Sequence, residues 1–269
     1  MVMQGTERIK FMNRQTVPTG RRLIAPLLIS LLCAGAAMAQ DQTTYLPPSP
    51  KNLTLLGIPS ATVAPNGLAF ASLSGTTRRS GSQSGSTDGS LALGFGLGSA
   101  EDSVGLQFKV QTTSLKSDFG DSGFLAFKAS RRIASGSMPT YIGLAVDHIG
   151  SWGDADGVDT RASVMVTSFT QLAMAGDVFP VMFTIGAGSH LRNGNTDPAL
   201  FAGAGIGLTK NLGTSLAWNG ENFDLGAAFK IDGLENVGFT ATANDVFNED
   251  DSRRVSFTVN LFVRDAFGG

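Results

Sequence analysis

The sequence predicts an all-β chain closed into an antiparallel transmembrane β-barrel of about 12 strands. Three observations predict it: repeated stretches of apolar–polar alternation, glycine crowded onto the polar side of those stretches, and connections that are longer and shorter by turns. Composition sets the frame. Of 269 residues, 42% are apolar, 16% are charged and 34 are glycine. That apolar content with a net charge of −2 supports a folded core and argues against disorder. A single cysteine excludes a disulfide scaffold and a cysteine-ligated zinc site. The near-neutral balance offers no basic surface for nucleic acid.

Residues 1–39 read as a signal peptide and stand apart from the fold. Arg8, Lys10, Arg14, Arg21 and Arg22 precede the apolar run from Leu23 to Leu32, and Ala37-Met38-Ala39 closes it before Gln40. This basic, apolar, small-residue order predicts export with cleavage after Ala39. Five of the 20 basic residues and one of the 22 acidic ones leave with the leader, so the net charge passes from −2 to −6. The mature chain has no apolar run of helical spanning length, so any membrane insertion must use strands. Residues 40–66, with Pro47, Pro48, Pro50 and Pro59, read as an extended N-terminal periplasmic segment or a plug.

The barrel is expected over 67–269. Strands are predicted over 67–77, 89–98, 103–112, 122–131, 139–149, 160–170, 180–189, 199–208, 213–219, 222–230, 236–244 and 253–263. The clearest is Val104, Leu106, Phe108 and Val110 interleaved with Gly105, Gln107, Lys109 and Gln111. Alternation that strict arises by chance roughly once in a few hundred windows. Alternation alone suits a soluble sandwich as well as a barrel, since each hides one face. The second face separates them. It carries Gly94, Gly96, Gly105, Gly143, Gly186, Gly188, Gly203, Gly205, Gly207, Gly226 and Gly238. Glycine weakens a strand and marks close approach or sharp curvature, which suits a confined interior.

Connection lengths agree. Arg78–Asp88, Thr113–Asp121 and Gly150–Asp159 are long, whereas Ser99–Asp102 and Thr209–Leu212 are tight; the loop at Gly220-Glu221 departs from the pattern. Barrels of the outer membrane place the shorter turns at the periplasm, so both termini are expected there.

These features together resemble Gram-negative outer-membrane β-barrel proteins, porin-like and of no specific family. The last strand, Arg253 to Val263, is similar to the terminal strand read by the barrel assembly machinery, with Phe267 followed by two glycines. The resemblance implies outer-membrane lipid and lipopolysaccharide as surroundings and the assembly machinery as a partner. It implies phenylalanine in the interfacial girdles, because the mature chain has only Trp152, Trp218, Tyr45 and Tyr141 besides. Gly57-Ile58-Pro59-Ser60-Ala61 is similar to the opening of exopolysaccharide-associated barrels, over too few residues to imply an activity.

Twelve strands about 4.8 Å apart, tilted about 40°, enclose a backbone radius of roughly 12 Å. By strand parity Lys109, Lys128, Asp147, Asp224, Lys230 and Arg254 line that interior, either to set ion preference or to pair across it. A passive pore follows. The alternatives are a barrel anchoring or binding at the cell surface, and a soluble periplasmic β-protein. No enzyme and no cofactor are expected. His190 in Ser189-His190-Leu191-Arg192-Asn193 is similar to the His-x-Ser-Asn arrangement of lipid A deacylases, but Arg192 stands where the serine nucleophile would. Strand alternation would also turn Ser189 and His190 to opposite faces, and would put His148 outside at the membrane rim. Asp154, Asp156 and Asp159 are hard oxygen donors, yet they lack the bidentate glutamate of an EF-hand and read as a solvated loop.

Overall fold

The computed structural model of the protein describes residues 51–77, 88–113, 115, 119–249 and 253–267. The predicted signal peptide, residues 40–50, most of the first long connection and Asp250-Asp251 lie outside the described residues. Twelve strands follow in chain order: β1 (Ala69–Thr76), β2 (Asp88–Gly98), β3 (Gly105–Thr112), β4 (Gly123–Ala134), β5 (Thr140–Trp152), β6 (Arg161–Met174), β7 (Asp177–Arg192), β8 (Asp197–Gly207), β9 (Leu212–Trp218), β10 (Phe223–Phe229), β11 (Val237–Asn244) and β12 (Arg254–Val263). Each pairs antiparallel with its neighbour in sequence, and β12 returns to β1, from Ala69 opposite Val263 to Thr76 opposite Ser256. The sheet is a closed barrel, so no strand edge is left unpaired.

The predicted strands are all present. β4 to β7 run longer than predicted: bulges let β4, β5 and β7 keep pairing where alternation breaks, and β6 continues in unbroken register with β7 to Met174. Register shifts occur at Leu125/Phe127 against β5 and between Gly188 and Arg192 against β8. The connections at one end span 77–87, 113–122, 153–160, 193–196, 219–222 and 245–253; those at the other span 99–104, 135–139, 175–176, 208–211 and 230–236. The second set is shorter on the whole, and β1 begins and β12 ends on that side. Its turns are pinned by local pairs. Between two neighbouring ones, Lys210 and Asn211 of 208–211 both donate to Asp232 of 230–236, and these bonds hold the Asp232 carboxyl below the usual carboxylate range.

The outer face is apolar along every strand. Leu93, Phe108, Leu125, Leu144, Val164, Ile185, Leu200, Leu216, Leu225 and Phe257 are all exposed. Aromatic residues gather towards both ends of this belt. Phe95 stacks on Phe108 and meets Phe267, and Phe229 stacks on Phe239, near the short turns. Trp218, Phe223 and Phe247 form a chain of rings at the other end. Tyr141 instead faces inward, where its ring meets Phe169.

Leu93→Arg, at the middle of β2, is expected to cost about 2–4 kcal/mol in lipid vesicles, the penalty for a cation at the bilayer midplane. Denaturant unfolding in vesicles measures it. A change near zero would mean that water, not lipid, covers this face.

Candidate functional site

Most buried side chains of the strands lie inside the barrel, while Ala155, Asn222 and Asp245 are buried in connections at the long-loop end. Ala61, Met165 and Phe201 form the core cluster, with Ile58, Tyr141, Ala145 and Leu191 packed around it. Two of these seven, Ile58 and Ala61, precede β1. Residues 51–66 therefore run through the lumen as an arch.

Lys51 starts the arch at the short-turn rim, where its Nζ donates to Asp177 Oδ2 at 2.5 Å and lies over the Phe179 ring. Asn52 donates from its backbone to the Thr209 carbonyl (2.7 Å) and from Nδ2 to the Ala228 carbonyl of β10 (3.1 Å). The chain then rises along β8, β9 and β10, with the Leu56 amide donating to Ser215 Oγ at 3.0 Å. At Gly57 it turns over Asp224. Gly57 has φ +90°, and a Cβ there would lie 2.8 Å from the Asp224 Cβ. Beyond the turn the Ala61 amide donates to Thr167 Oγ1 of β6 (2.8 Å), and its carbonyl accepts from Ser130 Oγ of β4. The Ala64 amide donates to Gln107 Oε1 of β3 at 2.9 Å before Gly67 joins the wall beside Gly96. A segment bonded to β10 and to β3, on opposite sides of a closed ring, crosses its interior.

Most of the inward glycines face this arch, whereas Gly94, Gly186, Gly188 and Gly238 face side chains of the wall itself. A Cβ on Gly205, Gly213 or Gly96 would overlap the carbonyl oxygens of Thr54, Asn52 and Ala64 in turn. On Gly226 it would lie 2.6 Å from the Leu56 side chain, and on Gly203 2.8 Å from Ile58. The small side chains admit a second strand of backbone against the wall. They do not by themselves widen a hollow.

The arch does not fill the barrel. It covers the inner faces of β4 to β10, where Thr167, Thr184, Phe201, Ser215 and Asp224 are buried. Across the lumen, Ser72, Ser74, Thr240, Thr242, Ser256, Thr258 and Asn260 on β1, β11 and β12 remain half-exposed. Near the long-loop end a cavity of about 340 Å³ opens between Ser74, Ser90, Gln111, Arg254 and Ser256. A second, of about 410 Å³, lies among Leu53, Leu55, Ser60, Thr62, Phe169 and Met182.

The predicted lining residues divide by place. Lys109 on β3 donates to Gln111 Oε1 (2.8 Å), Lys128 on β4 to the Thr62 carbonyl of the arch (3.1 Å), and Arg254 on β12 to Asn244 Oδ1 (3.3 Å). Asp147 on β5 meets His148 Nδ1 at 2.5 Å. Asp224, 1% exposed, lies beneath the arch and accepts from Asn219 Nδ2 and the Asp245 amide. Lys230 follows the end of β10 and is exposed in a short turn, where parity no longer governs it. Parity reading did not single out Arg161, which stands opposite Asp147 in register and begins β6.

Both histidines depart from simple alternation. A bulge turns His148 inward with φ +55°, and its ring stacks on Phe124 at 3.9 Å, so it has two partners and is not at the rim. The irregularity in β7 lets Ser189 Oγ reach His190 Nδ1 at 2.7 Å despite their adjacency. Asp159 Oδ2 is 3.9 Å from His190 Nε2, beyond hydrogen-bond reach. Among the described residues no three His, Cys, Asp or Glu side chains converge to hold a metal ion.

No family model matches the chain, and no curated protein matches it. Solved structures are similar in outline. The outer membrane protein Omp33 of Acinetobacter baumannii is 10% identical with a TM-score of 0.42, over 73% of this chain and 97% of its own. The COG4313 outer membrane channel of Pseudomonas putida F1 is 12% identical with a TM-score of 0.41, over 75% and 97%. A triple mutant of the Rh. blastica porin is 8% identical with a TM-score of 0.32, over 73% and 99%. At these values no residue role is transferred from any of them.

Proposed function

We propose that this chain is an outer-membrane barrel acting as a porin-like path for passive diffusion of small solutes, narrowed by its own N-terminal arch and without enzymatic activity. One observation carries the reading: from Ser72, Thr240 and Asn260 to the long-loop end the inner faces of β1, β11 and β12 are polar and still half-exposed beside the arch, with Phe70 and Phe262 facing inward only at the short-turn end. A barrel built only as a scaffold would bury that surface or fill it with apolar side chains. The exposed apolar belt and its aromatic ends suit lipid contact. The shorter turns beside both ends of the barrel suit periplasmic termini, with the longer connections among lipopolysaccharide. The terminal strand Arg254–Val263 is the element the barrel assembly machinery would engage.

Planar-bilayer recording of the purified, folded mature protein tests the function. Discrete current steps smaller than those of an unobstructed twelve-stranded barrel are expected. Folded protein that never conducts would leave the barrel as a surface anchor or binding platform.

Gly57→Val adds a branched side chain at the apex, against Asp224 and in a left-handed conformation. It is expected to dislodge the turn and raise the frequency of large-conductance openings. Unchanged current records would show that the apex is not a constraint on the path.

A further inference from the structure

We infer that the lumen favours small anions over cations, with Lys109, Lys128, Arg161 and Arg254 as the residues that set the preference; this rests on the diffusion reading above. All four are half-buried on the inner wall. Their hydrogen bonds, where they have them, go to neutral oxygens: Lys109 to Gln111, Lys128 to Thr62 and Arg254 to Asn244. Among the described residues none of the four has a carboxylate oxygen within 4.0 Å. The Arg161 Nε is buried with no hydrogen-bond partner at all.

Negative charge inside is scarce and already engaged. Asp147 is the one half-exposed carboxylate on the inner wall between the rims, among residues whose side chains are described, and His148 holds it. Asp224 is sealed beneath the arch. At the rims the charges offset: Arg132 faces Glu101, Lys51 bonds Asp177, and Arg192 stands opposite Asp197. Among the residues whose side chains are described, four half-buried cations against Asp147 and the buried Asp224 leave the interior positive, although the whole chain carries a net −2. Low-dielectric walls focus such a field and concentrate the counter-ion.

The placement also marks a route. Arg254 lines the cavity near the long loops together with hydroxyls of Ser74, Ser90 and Ser256 and the amide of Gln111. Gln111 is the acceptor of Lys109, and Lys128 is two residues nearer the short-turn end of the same inner wall, opposite Gln107 in register. An anion entering at Arg254 thus meets Lys109 and then Lys128 beside the arch. Charged rings and stripes of this kind decide ion preference in other pores.

The test is the reversal potential of the mature wild-type protein in a KCl gradient, at low salt where screening is weakest. Chloride is expected to be about fivefold more permeant than potassium, with the ratio falling at least about threefold in Lys109→Gln/Lys128→Gln. A cation-selective wild type, or an unchanged ratio in a conducting double variant, overturns the inference while leaving the diffusion reading intact. Chloride-35 NMR line broadening by the detergent-solubilised protein needs no current. Broadening that the double variant loses supports the anion site even if no channel is recorded, and equal broadening by both proteins overturns it.

Discussion

Deleting residues 40–66 is expected to raise single-channel conductance by about threefold or more. The arch is the main body inside a ring of twelve strands, and it takes up the lumen beside β4 to β10. Its removal uncovers Thr167, Thr184, Ser215 and Asp224, all of which gain access to water. It also strips the cover from Phe201 and Met165, so the truncated barrel is expected to unfold at lower denaturant concentration. Heat-modifiable gel mobility establishes that the truncated barrel is closed before its current is read. A folded truncation that conducts no better than the parent would mean that the arch is not what narrows the path.

The second large effect belongs to Gly205→Val. The added Cβ would overlap the Thr54 carbonyl oxygen, which is backbone and cannot swing aside as a flexible side chain would. In the full mature chain the substitution is expected to cost about 1–3 kcal/mol through overpacking, or to expel the arch and raise conductance. In the chain lacking residues 40–66 the same substitution is expected to be nearly neutral, since the clashing oxygen is gone. The difference between the two backgrounds is the coupling between wall glycine and arch. Equal costs in both would show that Gly205 answers to sheet curvature alone.

That pair of experiments bears on the point at which sequence reading and structure part. Alternation located all twelve strands, because a side-chain period of two is a local property of each strand. Val104 to Gln111 shows it most plainly: the apolar set lies outside, and Gln107, Lys109 and Gln111 lie within. Parity placed Lys109, Lys128, Asp147 and Arg254 on one face by the same logic. It failed at His148, where a bulge shifts the period by one residue, and at Ser189-His190, where β7 carries two residues more than β8 between Gly188 and Arg192. Lys230 escaped it by lying past the end of its strand.

The sequence by itself determined the number of strands, their apolar face and the glycines opposite it, since all three are written in neighbouring residues. Only the tertiary structure decided what those glycines face. The Ala61 amide reaches a hydroxyl 106 positions away, and Asn52 an acceptor 176 positions away. No local period encodes such pairings. They exist because ring closure brings every inner face around the same narrow space, where the arch satisfies its amides and carbonyls on the wall.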